Sequence, residues 1–150
     1  MDENFPTHPL LGLLLRLVYQ HYAQDIEGAL REAGFDDLRP PHANVFPFVP
    51  ADGISVSDLA DLARVRKQTM AQAVAQLEQL GYLERRPNPH DGRSRLVFLT
   101  DRGASVRPVT HEAAERVEKL WAELTSPEEI EALRAQLVRL LTQLRVEDAG

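Results

Sequence analysis

The sequence predicts a mainly α-helical chain with one small β-hairpin, an α+β arrangement. Three observations predict it. Apolar residues recur at spacings of three and four along most of the 150 residues. One stretch, 82–99, instead places β-forming residues on both sides of a cluster of turn residues. There is no cysteine, so a 43% hydrophobic chain must hold its fold by packing, without disulfides or a Cys-based metal site.

The elements follow in order. Residues 9–33 read as a long helix. Leu10, Leu11, Leu13, Leu14, Leu15, Leu17 and Val18 make its start apolar on more than one face, so it needs partners on several sides. Gly34 is its stop. "RPPHANVFPFVPADG", 39–53, is punctuated by prolines; a helix of about two turns is expected from Pro41 towards Phe46, ended or kinked by Pro47. Ser55 caps a helix over 55–62, with Asp58 in its first turn and Leu59, Leu62 and Ala63 on its apolar face. After the break "ARV", residues 66–80 form a second helix with Met70, Val74 and Leu77 as a buried stripe. "YLERR" and "RLVFL" are the hairpin strands, joined by "PNPHDG". Thr100 caps a helix that runs to about Leu124, with Val106, Val109, Ala113, Val117, Leu120 and Trp121 on one face. Ser126, Pro127 and Glu129 start the last helix, whose Ile130, Leu133, Leu137, Leu140, Leu141 and Leu144 form a seam like that of a coiled coil.

Charge is unevenly placed. The chain carries 17 Lys and Arg against 23 Asp and Glu, a formal charge of -6. Yet residues 64–107 hold nine basic side chains and only four acidic ones. Such separation suggests one surface made for a polyanion. Two helices joined by a three-residue break, then a hairpin, make a winged helix-turn-helix. Its second helix is suited to the major groove of duplex DNA, and its hairpin to the adjacent phosphates and minor groove. On the helix, Arg66, Lys67, Gln68, Thr69 and Gln72 can reach phosphates or base edges. On the hairpin, Arg85, Arg86, Arg93 and Arg95 supply positive charge, with Arg85 and Arg86 open to either phosphates or acidic side chains as partners, and Asp91 is placed to hold the turn and orient an arginine.

Over 54–103 the chain resembles the MarR family of winged-helix transcriptional regulators. "SVSDLADLARV" matches the first helix of the motif. "LEQLGYLERRP" leads into the wing, and "DGRSRLVFLT" carries the D-x-R pattern followed by Leu-Thr. Two features depart from the family pattern: Arg64 stands in a break where Gly is common, and Arg66 and Gln72 replace a Ser/Thr cap and a frequent Arg. The order of helices on both sides also matches. The resemblance implies a homodimer on palindromic promoter DNA, usually a repressor, often released by a small aromatic or anionic effector. It divides the chain into a DNA-binding lobe, 36–100, and a helical dimerisation lobe, 1–35 with 101–150.

Dimerisation is expected through Leu10, Leu14, Leu133, Leu137, Leu140 and Leu144. Tyr19, His21, Tyr22, His42, Phe46 and Trp121 are candidates to line an effector cleft. "HEAAE", 111–115, has half of the H-E-x-x-H zinc pattern but lacks its second His. No metal, cofactor or catalytic chemistry is expected. The acidic N-terminus has no secretory pattern, and "LLGLLLRLV" is too short to span a bilayer, so a cytoplasmic protein is expected. The alternative is a helical interaction module of the same fold that has lost DNA binding.

Overall fold

The computed structural model describes residues 5–148. Helix α1 is Leu11–Glu32, α2 Val56–Ala63, α3 Lys67–Gln79, α4 Asp101–Leu124 and α5 Pro127–Asp148; strands β1, Leu83–Asn88, and β2, Asp91–Leu99, form an antiparallel pair. The mainly α fold with one hairpin matches the sequence expectation. Contacts divide the chain into two compact units. One runs from Glu27 to His111; the other joins the described residues up to Ile26 with those from Glu112 onward.

The cap signals act as read. Ser55 Oγ accepts the Asp58 N–H at 3.1 Å at the start of α2, and Ser126 Oγ accepts the Glu129 N–H at 3.2 Å at the start of α5. Thr100 Oγ1 accepts the Gly103 N–H at 3.1 Å at the start of α4. Each satisfies an amide that the helix leaves unpaired.

Two local expectations need correction. The predicted helix from Pro41 is two short 3₁₀ turns, Pro40–Asn44 and Phe46–Phe48. Pro40, Pro41 and Pro47 have no N–H to donate to an α-helical ladder, and Pro47 lies inside the second turn rather than ending the first. The strands are longer than "YLERR" and "RLVFL", and only Pro89 and His90 lie between them. Ile54 bridges Val97, its N–H 3.1 Å and its carbonyl 2.8 Å from their partners, which gives β2 a second neighbour.

The unit from Glu27 to His111 has its own core. Val45, Phe46, Val49, Leu59, Met70, Val74, Leu77, Tyr82, Val97 and Val106 are buried together. The stripe read on 66–80 is therefore the buried side of α3, which turns its polar side outward. Two glycines permit close packing here. A Cβ on Gly103 would lie 2.1 Å from the Tyr82 carbonyl oxygen, so only glycine lets α4 begin against the base of the hairpin. Gly53, at φ +82°, brings its backbone under the Phe98 ring, where a Cβ would meet carbon at 2.5 Å.

Polar clamps tie this unit across long stretches of sequence. Tyr82 Oη donates to Asp37 Oδ1 at 2.5 Å. Arg102 donates to Asp37 Oδ2 at 2.9 Å, to Tyr82 Oη at 3.0 Å and to the Leu80 carbonyl at 3.0 Å. Its guanidinium also covers the Tyr82 ring, 4.3 Å from the centroid. Burial, then the hydrogen bond to Asp37, pushes the Tyr82 phenol up to about 12. Arg107 donates to the carbonyls of Phe46 and Val49. Two of the nine basic residues in 64–107 thus act as internal staples.

In the other unit Ala113 and Val117 are buried, and Arg134 on α5 pairs with Glu118 on α4 at 2.5 Å. No helix among the described residues is long and apolar enough to cross a membrane.

Candidate nucleic-acid interface

The helix-turn-helix is built from α2, a tight turn and α3. The turn runs through Arg64, which adopts the left-handed conformation at φ 55°, ψ 43°. A Cβ-bearing residue pays about 1–2 kcal/mol there. The geometry explains the physical preference for Gly at this point. The Val65 N–H then returns to the Ala60 carbonyl at 3.1 Å, closing α2 before α3 begins.

Helix α3 starts differently from its neighbours. Its N-cap is Arg66, with extended backbone and no side-chain cap, and its first turn holds no acidic residue. Lys67 stands at the first helical position, where a cation opposes the helix dipole. Helices α2, α4 and α5 each have an acid in the first turn. The uncompensated start of α3 costs local stability but leaves positive potential for an external anion. Arg66, Lys67, Gln68, Thr69 and Gln72 are all exposed. Met70, Ala73, Val74 and Leu77 anchor the opposite side.

The hairpin arms and tip treat their arginines in different ways. Arg85 Nε lies 3.0 Å from Glu78 Oε2, an ion pair between β1 and the end of α3. Arg86 pairs with Glu84 and covers the Phe98 ring, 4.5 Å from the centroid. Arg95 donates to the Arg85 carbonyl at 3.1 Å. These three brace the arms.

Arg93 is placed by a break in register. Pro87 pairs with Arg95, but Asn88 pairs with Asp91, so Gly92, Arg93 and Ser94 bulge from β2 outside the strand register. Side chains hold the bulge. Asp91 Oδ1 accepts the Arg93 N–H at 3.1 Å, Asn88 Nδ2 donates to Ser94 Oγ at 3.2 Å, and Asn88 Oδ1 accepts the His90 N–H at 3.0 Å. Asp91 therefore sets the arginine through its backbone amide. The Arg93 residue is exposed.

The six candidate effector residues do not behave as one set. His42 and Phe46 are 3% and 5% exposed in the Glu27–His111 core, with Phe46 edge-on to Tyr82 at 5.8 Å. His42 uses both ring nitrogens on protein partners, so neither residue offers a free face to a ligand as packed here. In the other unit, Tyr22 lies 6.3 Å from both Tyr19 and Trp121, ring centroid to ring centroid. Burial, then the Glu118 charge, raises the Tyr22 phenol. His21 is exposed beside them in sequence. Of the leucines expected at a subunit interface, Leu10, Leu14, Leu133, Leu140 and Leu144 are exposed in the single chain, and Leu137 is half-buried. No group of three or more His, Asp or Glu among the described residues is arranged to hold a metal.

Sequence reasoning left open whether Arg85 and Arg86 meet phosphates or acidic side chains, and it missed the hydrogen bond between His42 and Gln76. The Glu78–Arg85 spacing of seven residues across a helix end was the available signal for the first.

A short connection between two helices, an exposed polar face on the second and an arginine-bearing hairpin define a winged helix-turn-helix protein. Residues 37–94 match the model of the MarR family. An uncharacterized HTH-type transcriptional regulator of Bacillus subtilis, YybA, is 27% identical over 88 residues, 59% of this chain and 59% of its own length. The chain thus matches somewhat over half of that relative. A solved structure of MarR, 26% identical, superposes with a TM-score of 0.76 over 100% of this chain and 99% of its own. A Staphylococcus aureus MepR mutant bound to oligodeoxyribonucleotide is 19% identical, with a TM-score of 0.59 over 91% and 99% of the two chains. Over residues 37–94 the chain is similar to the MarR family, and along its whole length it takes the fold of the MarR structure.

Proposed function

We propose that this protein is a sequence-specific, double-stranded DNA-binding transcriptional regulator that does no chemistry of its own. One observation carries the reading. The exposed face of α3, from Arg66 to Gln72, begins at an uncapped, positively charged helix start, and a held bulge projects Arg93 from the adjoining hairpin. Amide and hydroxyl side chains on a groove-sized helix suit base edges, and a cation on a narrow hairpin suits phosphates and the minor groove. The capture of a MepR mutant with oligodeoxyribonucleotide supports the same reading.

The active form in this reading is a homodimer. The leucines left exposed on α1 and α5 are more apolar surface than a soluble monomer keeps. A two-fold dimer carries two copies of α3 and so reads an inverted repeat. Repression of a promoter follows from occupancy of such a site. A small aromatic or anionic effector, bound in the helical part near Tyr19, Tyr22 and Trp121, releases it. Residues 36–100 serve as the DNA-binding lobe, and the flanking helices as the dimerisation lobe, in the cytoplasm.

The test is titration of purified protein against a random-sequence duplex pool, with recovery of the bound fraction. Enrichment of one inverted repeat, bound far more tightly than scrambled DNA, is expected. Equal retention of every duplex, or of none, contradicts the proposal.

A further inference from the structure

Gln68, Gln72 and Gln76 stand four residues apart on α3, so they follow one another along one face of the helix. All three are exposed. Gln76 differs in being held from behind. His42, on the first 3₁₀ turn, places Nδ1 3.0 Å from the Arg39 amide nitrogen and Nε2 2.9 Å from Gln76 Oε1.

The proton positions in this chain follow from one fixed fact. A backbone N–H can only donate, so His42 Nδ1 must accept from Arg39. A neutral imidazole then carries its single proton on Nε2 and donates it to Gln76. Turning the Gln76 amide end for end sets its NH2 against the Nε2–H. Moving the ring proton to Nδ1 sets it against the Arg39 N–H. One arrangement satisfies every partner, and it leaves both N–H groups of the Gln76 amide directed away from the ring.

We propose that Gln76 is a further DNA-contacting residue, presenting an oriented amide donor to an acceptor atom of the duplex, and that buried His42 is the positioning residue that orients it. The inference rests on the DNA-binding reading above and extends the contact face by one turn beyond Gln72. A side chain fixed in advance loses little rotamer freedom on binding, so its hydrogen bond is gained at lower entropic cost. The outward group is a donor, so its partner is a phosphate oxygen or a base-edge acceptor.

The experiment compares wild type, Gln76→Ala, Gln76→Glu, His42→Asn and the double variant His42→Asn/Gln76→Ala. Each is titrated against the duplex selected by the wild-type protein and against a scrambled duplex of equal length, with thermal unfolding of each variant as the folding control. Gln76→Ala is expected to weaken binding about tenfold, from one neutral hydrogen bond lost in each half of a dimer. Gln76→Glu keeps an acceptor for His42 but presents no donor, so its loss is at least as large. It carries the test should His42→Asn fail to fold. In His42→Asn the shorter amide oxygen can still accept the Arg39 N–H but does not reach Gln76. It should lose a part of the same effect, and the double variant should bind no worse than Gln76→Ala. A loss on both duplexes identifies a phosphate partner; a loss confined to the selected duplex identifies a base edge. Wild-type affinity of Gln76→Ala or Gln76→Glu on both duplexes overturns the proposal, as does a double variant whose loss is the product of the single losses. Failure of the wild type itself to bind either duplex overturns instead the DNA-binding reading on which it rests.

Discussion

Replacing Arg93 with alanine tests whether the bulge at the hairpin tip delivers charge to DNA. The arm arginines are engaged with Glu78, Glu84 and the Arg85 carbonyl, whereas Arg93 is held by its backbone and has an exposed side chain. Each phosphate contact contributes about 0.9 to the slope of log affinity against log salt, so one contact in each half of a dimer contributes about 1.8. Between about 50 and 200 mM salt, the affinity advantage of wild type over Arg93→Ala should therefore shrink about 12-fold. The loss should be similar on specific and scrambled duplexes, since phosphates carry no sequence. The paired control is Arg85→Ala/Glu78→Ala, which removes an ion pair without changing net charge and should keep the wild-type slope. Fluorescence anisotropy at four or five salt concentrations measures both. An unchanged slope for Arg93→Ala refutes the reasoning, and so does an equal loss of slope in the double variant.

Three further outcomes are expected. Arg64→Gly should be more stable to urea than Arg64→Val by about 1–2 kcal/mol, because both remove the same side chain but only glycine is relaxed at φ 55°; equal midpoints would show that the turn is not strained. The Tyr82 phenol is raised from 10.0 to about 12 in the fold, so it favours the folded state fully below pH 10. That contribution, on the order of 2 kcal/mol, is lost as pH climbs from 10 to 12, and Tyr82→Phe should lack this step in alkaline unfolding titrations. Leu140→Glu places a charge on the exposed seam of α5 and should shift sedimentation at micromolar concentration from twice the chain mass towards the chain mass, while wild type remains dimeric.

Features set by neighbouring residues were legible in the sequence. Ser55, Thr100 and Ser126 cap the helices that follow them because a cap needs only a short side chain and an amide two or three positions on. The stripe Met70, Val74 and Leu77 faces the core because helical spacing dictates it. The wing was legible as a hairpin, but "PNPHDG" read as six turn residues. Turn-forming composition does not reveal that Asn88 and Asp91 pair across two residues while Gly92, Arg93 and Ser94 bulge.

Features set by distant partners were not legible. Arg102 meets Asp37 across 65 residues, and Arg107 meets Phe46 across 61. From sequence both simply added to the basic count of 64–107. His42 and Phe46 looked like aromatic cleft residues because composition cannot separate a side chain that lines a cavity from one that fills a core. The proline-rich segment around them takes 3₁₀ turns, and the hydrogen bond from His42 to Gln76 becomes visible only when that segment packs on α3. The candidate DNA face on α3 was the most readable part of the site, since exposure there follows directly from the buried stripe on its other side.

Footprinting of the wild-type protein on its selected duplex tests the central claim most directly. A dimer presenting two copies of α3 should protect two symmetry-related half-sites about one helical turn, roughly 10 bp, apart, with each wing adding protection on the flanking minor groove. Protection of a single asymmetric half-site, or none at concentrations where the protein is dimeric, would contradict the account.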